Sequence, residues 1–408
     1  MLCKQVSFSI QEKSQALALV PKVKETLLNN CKKLSCFPEG TVLIVGDMYP
    51  GIWLEHNQDN LFIIDFAPKT AWYSQEIFIK NQRKDGLIPY MAALNKREIF
   101  SDIYPDNYFG YWQIQSVYPL TRCAFEIAKK TNRPEEDLLK IFNCGTAYDN
   151  WLMANRNTMK TGLVEMFCEF DTGHDNSPRV TDGGIPHCCY QDAKNLPDVE
   201  VLPIISVDLS AMLYGNRNAL AELATALGKT KEAVFWEQKA RETRQKIKEL
   251  LYDRNDDFYY DRNKDGLRKY KTEHITRLFL NKVLTQEEFD SIYARYFTIP
   301  NQGFCSPYPI PAVAIDDPSF DHTCPKNSWA CNTQALTTLR AILWMDYYKR
   351  NDDLTALLSN WLKAILTHPQ TTFQQEIHPF NGSPVGQGVN YTPTLLIFLE
   401  AIKRLGWQ

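Results

Sequence analysis

The 408-residue sequence lacks long apolar runs, an excess of basic side chains and Gly/Ser-rich linkers. No segment has the roughly 18 consecutive apolar residues that a membrane span requires, and the start, MLCKQVSFSIQEKSQALALV, has no apolar run long enough for a signal peptide. The 45 Lys and Arg side chains against 48 Asp and Glu give a net charge of −3, which does not favour a phosphate backbone. These absences argue against a membrane and against nucleic acid as partners.

The eleven cysteines are an odd number and lack the spacing of a disulfide framework. In a chain long enough to bury its own core, they favour reduced thiols and a cytoplasmic location. His187-Cys188-Cys189 and the Cys324–Cys331 pair have no partners at zinc spacing, and the DRNDD and DRNKDG turns lack the last glutamate of a calcium loop. Since no Gly-rich phosphate loop follows a strand either, we expect neither a metal nor another cofactor.

Helical periodicity dominates what is present. Apolar residues recur at steps of three and four in segments 115–131, 135–155, 209–227, 231–251, 334–349, 354–367 and 393–405. Strand-like runs are few, and 41–46 and 61–65 are the best of them. No shift in composition divides the chain, so we predict a single domain over residues 1–408. Counting the stripes indicates about ten to twelve helices, which favours an all-α barrel, or toroid, of paired helices with a few short strands.

Long polar loops separate these helices, at 100–112, 170–206, 299–330 and 368–392. Loops longer than about 15 residues are uncommon unless they carry function. Within the stretch EFDTGHDNSPRV, Asp175 lies between Gly173, which permits a positive φ, and Pro178, which constrains the end of the turn. The same residues are also good turn formers, so they fit a purely structural loop as well.

A second loop, TTFQQEIHPFNGSPVGQGVNYTP, contains one carboxylate, Glu376. Hydrolysis of a glycosidic bond with inversion needs two carboxyl groups, one protonated and one ionised, on opposite sides of the sugar. Asp175 and Glu376 lie about 200 residues apart in the sequence, and loops at the mouth of a barrel can bring such residues together. The two loops therefore fit a carbohydrate-cleaving site, although Glu376 taken alone fits a surface loop acid equally well.

The segment GHDNSPR resembles the Gly-x-Asp-Asn-Ser-Pro-Arg signature of inverting α-glycosidases of the glycoside hydrolase family 63 type. This group includes mannosylglycerate and glucosylglycerate hydrolases and is related to the trehalases and glucoamylases. Further similar segments are VDLSAMLYG, the helical pair after it, LLYDRNDDFYYDRNKDG, NSWACNTQALTTLRAI and the closing EIHPFNGSPVGQGVNYTPTLLIFLEA. The resemblance implies an (α/α)6 barrel with long catalytic loops and exo-acting hydrolysis of a small α-glucoside or α-mannoside.

The same resemblance implies that Asp175 is the general acid and Glu376 the general base. The family's early Trp-Asp pair corresponds here to GIWLEHNQDN, in which Glu55, His56 or Asp59 takes the place of the aspartate. The candidates for binding the sugar are Trp53, Glu55, His56, Asp59, Trp112, Gln113, His174, Asn176, Arg179, Trp329, Gln334 and His378.

The position of the base depends on how the closing motif, Glu-x-Tyr-x-Pro-x-Thr-Gly-x-Pro, is aligned. Counting back from Pro379 without a gap puts Gln375 at the glutamate position. A one-residue deletion after Glu376 restores the match and puts His378 in place of the tyrosine. Without the deletion the base is lost from this position, and the chain uses another acid or binds sugar without cleaving it.

Two alternatives share the barrel. A sugar 2-epimerase would need His174 and His378 to act together as proton shuttles, and a noncatalytic sugar-binding protein would follow if Gln375 occupies the base position. Fold alone does not choose among these functions.

Overall fold

The predicted helices are present in a computed structural model, which describes residues 6–49, 51–95, 108–321, 323, 329–368, 373–386 and 389–407. Within these residues there are twelve α-helices: α1 (Ile10–Asn29), α2 (Pro68–Lys80), α3 (Leu120–Lys130), α4 (Glu135–Asn155), α5 (Pro178–Thr181), α6 (Val207–Ala226), α7 (Thr230–Leu251), α8 (Ile275–Leu280), α9 (Gln286–Phe297), α10 (Ala335–Tyr347), α11 (Asn351–Thr367) and α12 (Thr392–Arg404). Two 3₁₀-helices, Leu54–Phe62 and Glu169–Thr172, lie in the connections.

The inner helices form a ring in which each packs against the next, in the order α2, α3, α6, α8, α10 and α12. The 3₁₀-helix Leu54–Phe62 contacts both α12 and α2 and so closes the ring. Outer helices cover it: α4 packs on α3 and α6, α7 on α6, and α11 on α10 and α12. This arrangement is the predicted (α/α)6 barrel.

The inner helix α6 and the outer helix α7 differ in burial. Helix α6 is buried on nearly all sides, whereas α7 buries one stripe that includes Ala233, Trp236, Ala240 and Ile247. Steps of three and four along α7 place these side chains on one face. The inner helix α6 is thus largely apolar and buried on nearly all sides, and the outer helix α7 is amphipathic.

The strands are short and lie mainly in the loops at the barrel ends. They are β1 (Cys31–Leu34), β2 (Phe37–Leu43), β3 (Gly51–Trp53), β4 (Met91–Ala93), β5 (Phe109–Gly110), β6 (Glu165–Met166), β7 (Ile204–Ile205), β8 (Tyr252–Asp253), β9 (Phe258–Tyr259), β10 (Asp261–Asn263), β11 (Gly266–Arg268), β12 (Thr333–Gln334), β13 (Glu376–Ile377) and β14 (Pro384–Val385). Two of the resulting sheets frame the site described below: β3-β4-β5 and β12-β13-β14, both antiparallel.

Some elements differ from the sequence-based prediction. The predicted strand at 61–65 is wrong, because this segment ends the 3₁₀-helix at Phe62 and continues into a turn. A short apolar run does not distinguish a strand from a buried helix by its pattern alone. The predicted strand at 41–46 corresponds only to the end of β2, and the helix predicted from residue 115 begins at Leu120, after Pro119. Among the described residues, no helix is both long and apolar enough to cross a membrane.

Candidate active site

A cavity that is open to solvent, with about 360 Å³ of empty space including that solvent, lies beside the N-terminal ends of α10 and α12. The walls combine aromatic rings with carboxylates and amides. The lining residues are Val45, Tyr49, Trp53, Glu55, His56, Gln115, Gly173, Asp175, Trp329, Leu336, Gln375 and Tyr391.

The loop that carries Asp175 follows the 3₁₀-helix Glu169–Thr172, which ends at Gly173 with a φ of 70°. The backbone N–H of Trp329 donates to the carbonyl of Asp175 at 2.9 Å, and the backbone N–H of Ser177 donates to His174 at 3.0 Å. Pro178 then begins α5. Asp175 is therefore held between two chain segments, half-buried, at the cavity wall.

A buried ionic network supports this loop from below. Arg179, 1% exposed, donates through Nη1 and Nη2 to Asp208 at 2.9 and 3.0 Å and through Nε to Asp261 at 2.9 Å. Its Nη1 also lies 2.9 Å from Nδ1 of His174, whose Nε2 lies 2.6 Å from Glu273. Nη2 of Arg277 lies 2.7 Å from the same Nε2. Burial lowers the pKa of His174, which favours the neutral ring.

This network includes two of the predicted sugar-binding residues. Neither Arg179 nor His174 lines the cavity, because buried aspartate and glutamate partners turn both side chains beneath the loop. Paired buried charges of this kind hold a structure in place, since removing one partner leaves the other without compensation. The epimerase alternative required a reactive His174, and this environment does not favour it.

The 3₁₀-helix Leu54–Phe62 contributes a second acid, Glu55, which is 4% exposed and lines the cavity. Its Oε2 accepts from Nε2 of Gln115 at 2.9 Å, and its Oε1 lies 3.2 Å from Nη2 of Arg340. The loop of Asp175 is adjacent, because a Cβ added at Gly173 would lie 2.2 Å from Oε2 of Glu55.

His56 lies next to Glu55 and also lines the cavity. Its Nδ1 is 2.9 Å from Oδ2 of Asp59, and its Nε2 is 3.4 Å from the hydroxyl of Tyr391. Asp59 is buried behind His56 and accepts a second hydrogen bond from Gln58. Asp59 thus orients the imidazole from behind, where the sequence predicted a direct contact with the sugar.

Gln375 and Glu376 occupy different surroundings. The Gln375 side chain lines the cavity, and the Tyr49 hydroxyl donates to its Oε1 at 3.0 Å. Glu376 is 2% exposed, and its Oε2 accepts from Asn332 at 2.8 Å and from Gln334 at 3.0 Å. Of these two neighbouring residues, Gln375 is therefore the one that lines the cavity.

Tyr49 lies near both Asp175 and the Gln375–Glu376 segment. Burial raises its pKa well above the ordinary value, and the charges of Asp175 and Glu376 raise it further. The phenol is therefore protonated and acts as a donor at neutral pH. An edge-on contact with Trp53 at 5.7 Å between ring centroids packs it against the aromatic wall.

The remaining predicted residues lie around the cavity or apart from it. Trp53 and Trp329 line it. Four others are outside the lining of described residues: Trp112 packs edge-on against Tyr90, Gln113 donates to Gln115 at 2.6 Å, Gln334 contacts Glu376, and His378 lies at the β13–β14 turn. Asn176 is exposed, with a φ of 60°.

Sequence reasoning did not select Tyr49, Gln115 or Tyr391 as sugar-binding candidates. No local pattern marks them, because each reaches the cavity from a different chain segment. Gln115 has a φ of 41°, which only the folded backbone reveals.

One cluster among the described residues has potential metal ligands: Cys168, Asp171 and Cys189. The carboxylate of Asp171 is already paired with Arg156, at 2.5 and 3.1 Å, and accepts backbone N–H groups. Burial raises the pKa of the Cys168 thiol well above its usual value. An arginine thus neutralises the charge that a metal would require, and the cluster does not fit a cation.

Residues 59–394 match the family model of the mannosylglycerate hydrolase MGH1-like glycoside hydrolase domain. The chain is therefore a glycoside hydrolase. It belongs to the MGH1-like family. No curated protein shows significant sequence similarity to it.

Solved structures with this fold include the GH63 mannosylglycerate hydrolase from Thermus thermophilus in complex with Tris and D-glycerate, with 18% identity, a TM-score of 0.74 and coverage of 94% of this chain and 100% of that one. The neutral trehalase of Saccharomyces cerevisiae has 13% identity, a TM-score of 0.66 and coverage of 90% and 73%. A rhamnosidase from Klebsiella oxytoca with rhamnose bound has 14% identity, a TM-score of 0.59 and coverage of 99% and 66%. At such identities these likenesses establish the barrel fold.

Proposed function

We propose that this glycosidase is an inverting, exo-acting enzyme for a small α-mannoside or α-glucoside, with Asp175 as general acid. The observation that carries the proposal is a half-buried carboxyl group at the wall of a small cavity with aromatic rings and amides around it. Aromatic rings suit the apolar faces of a sugar, and amides and carboxylates suit its hydroxyl groups.

The substrate class rests on the lining of the cavity and on one relative. The aromatic rings and amides around Asp175 suit a sugar unit with its apolar faces and hydroxyl groups. One similar solved structure is a mannosylglycerate hydrolase in complex with D-glycerate, which makes a glycerate conjugate the first substrate to test. A cytoplasmic location, favoured by the cysteine pattern, is part of the same proposal.

The proposed reaction divides the work between two carboxyl groups. Asp175 donates its proton to the glycosidic oxygen as the bond to the anomeric carbon breaks, and an ionised carboxylate takes a proton from the attacking water. Two carboxylates compete for the second role. The sequence favours Glu376, whose amide partners stabilise its ionised form, and the cavity wall offers Glu55.

The experiment is hydrolysis of mannosylglycerate, glucosylglycerate, trehalose, kojibiose and nigerose, followed by proton NMR of the released anomer. We expect the β-sugar first. Asp175→Asn should lower kcat by about 10²- to 10⁴-fold, the usual contribution of general acid catalysis. Asp182→Asn is the matched control, because this acid is 56% exposed and contacts Arg268 on the outside of the same loop region. Initial release of the α-sugar, or full activity of Asp175→Asn, would contradict the proposal.

A further inference from the structure

A buried carboxylate that the proposed reaction does not use contacts the turn that carries Asp175. Glu169 begins the 3₁₀-helix Glu169–Thr172 and is 1% exposed. Its Oε1 accepts the backbone N–H of Asn176, the residue directly after Asp175. Its Oε2 contacts Nδ1 of His187, whose side chain is 69% exposed. The Glu169 carboxylate therefore connects the protein surface to the backbone of the turn.

The turn spans residues 174–177, and Asp175 and Asn176 are its two central residues. The backbone N–H of Ser177 donates to the His174 carbonyl at 3.0 Å, and Asn176 has a φ of 60°. A positive φ at the third position is typical of a type II turn, which differs from type I in the orientation of the peptide group between the two central residues. The orientation of this one peptide group therefore sets the shape of the turn at Asp175.

This peptide group is held through both of its polar atoms. Its N–H, which belongs to Asn176, donates to Glu169, and its carbonyl, which belongs to Asp175, accepts the backbone N–H of Trp329 at 2.9 Å. A left-handed backbone is uncommon outside glycine, so the turn depends on such restraints. A hydrogen bond to a carboxylate is stronger than one between neutral groups, and Glu169 therefore supplies the stronger restraint.

Glu169 is itself fixed by the segment around His187. The backbone N–H of Glu169 donates to the Pro186 carbonyl at 2.9 Å, and that of Phe170 donates to the His187 carbonyl at 3.0 Å. The His187 ring stacks on Phe170, with the ring centroids 5.1 Å apart. These contacts place Nδ1 of His187 against the carboxylate, so the carboxylate is oriented by His187 at one oxygen and holds the turn with the other.

We propose that Glu169 is a positioning residue for the general acid, because its carboxylate fixes the turn that directs Asp175 at the glycosidic oxygen. This inference rests on the proposed role of Asp175 and deepens it. Glu169 is outside the cavity lining of described residues, so it neither touches the sugar nor takes a proton in the reaction. Loss of its hydrogen bond should therefore impair proton donation by Asp175 and affect the other steps much less.

The test compares two substrates that differ in their need for an acid. One is the glycoside that the wild type hydrolyses best, and the other is the α-glycosyl fluoride of the same sugar, whose fluoride departs without a proton from the enzyme. We expect Glu169→Ala to lower kcat for the glycoside by about 10²-fold, since a misplacement of about 1 Å can cost that much. It should leave kcat for the fluoride within about tenfold. Glu169→Gln retains an oxygen acceptor for Asn176 and should recover most of the lost kcat.

Glu165→Ala is the matched control. Glu165 lies four residues earlier, is 0% exposed and accepts the backbone N–H groups of Thr158 and Met159 at 2.8 and 2.7 Å. Its loss removes a comparable buried acceptor away from the turn, so any fall in kcat should be equal for the two substrates. His187→Phe keeps a ring on Phe170 and removes Nδ1, and should lower kcat for the glycoside alone, by about three- to tenfold.

Thermal unfolding verifies that each variant is folded, and His187→Phe carries the test if Glu169→Ala does not fold. Equal losses on the glycoside and the fluoride in either variant would overturn the positioning role. So would wild-type hydrolysis of the glycoside by Glu169→Ala, or no recovery in Glu169→Gln. Full hydrolysis of the glycoside by Asp175→Asn would instead count against the proposed function itself.

Discussion

At the scale of single residues, the site depends on charges that are buried in pairs. Arg179 meets Asp208 and Asp261, and Arg156 meets Asp171, all at most 3% exposed. A buried charge that loses its partner costs several kcal/mol, so such pairs hold their segments in a single arrangement. The loop of Asp175 is built on these pairs.

The buried His274 makes stability depend on pH. Burial, followed by the charge of Arg179, lowers its pKa to about 4. The neutral ring fits its partners, since Nε2 lies 3.0 Å from the Tyr259 carbonyl and Nδ1 contacts the Thr272 hydroxyl. The unfolded chain takes up the proton near pH 6.5 and the folded chain only near 4. The contribution of the neutral His274 to the free energy of unfolding is therefore complete above pH 6.5 and is lost as the pH falls to 4. This loss amounts to about 3 kcal/mol.

Urea unfolding at pH 7 and pH 4.5 measures this loss. His274→Gln removes the titration and should reduce the slope of the unfolding free energy in that window. Part of the slope stays, because burial also lowers the pKa of His174. An unchanged slope in His274→Gln would contradict the assignment.

At the scale of elements, the two acids that line the cavity, Asp175 and Glu55, are positioned by the 3₁₀-helices and not by the α-helices. Glu169–Thr172 ends at Gly173 with a positive φ and delivers Asp175, and Leu54–Phe62 closes the barrel and delivers Glu55. Both sit in connections, where backbone geometry is less regular than in a long helix. The geometry of the proposed site therefore depends on a tight contact between two short elements.

Gly173→Ala should break this contact. The added Cβ would lie 2.2 Å from Oε2 of Glu55, so the carboxylate must move, and a displacement of about 1 Å can cost about 10²-fold in rate. Gly184→Ala is the matched control, with a φ of 77° and no atom within 4 Å of the added Cβ. Both variants carry similar backbone strain, so only Gly173→Ala should lose kcat in the hydrolysis assay. Equal activities would argue against the contact.

At the scale of the whole molecule, the ring joins distant parts of the chain. Helix α1 packs against α11 and α12, and Asn30, which follows α1, donates to the Asn390 carbonyl and the Thr392 hydroxyl, both at 3.0 Å. Inner helices contact both neighbours around the ring. In such an arrangement the apolar face of each helix is buried only when the neighbouring helices are folded.

We therefore predict that residues 1–408 unfold as a single domain. Calorimetry should show one transition with equal calorimetric and van't Hoff enthalpies. Asn30→Ala should lower the unfolding free energy by about 1–3 kcal/mol, because it leaves a partly buried carbonyl and a buried hydroxyl without this donor, and should shift the whole transition. Two separated transitions, or a shift of only part of the signal, would contradict one domain.

The sequence by itself determined the elements whose signals are local. The periodic segments from 135 to 155 and from 354 to 367 are α4 and part of α11, and the pattern of 231–251 is the outer helix α7. An apolar stripe at steps of three and four is present in the sequence whatever the helix packs against, so it predicts the helix without knowledge of the tertiary structure. The same holds for GHDNSPR, whose turn residues specify the loop of Asp175 locally.

Only the tertiary structure decided which side chains meet. Three features depend on how distant segments are aligned with one another. Arg179 pairs with Asp208 and Asp261, Asp59 lies behind His56, and Gln375 rather than Glu376 lines the cavity. A one-residue change in strand register moves a side chain to the opposite face, and no local pattern records it. Contacts between residues far apart in sequence exist only after the barrel has closed.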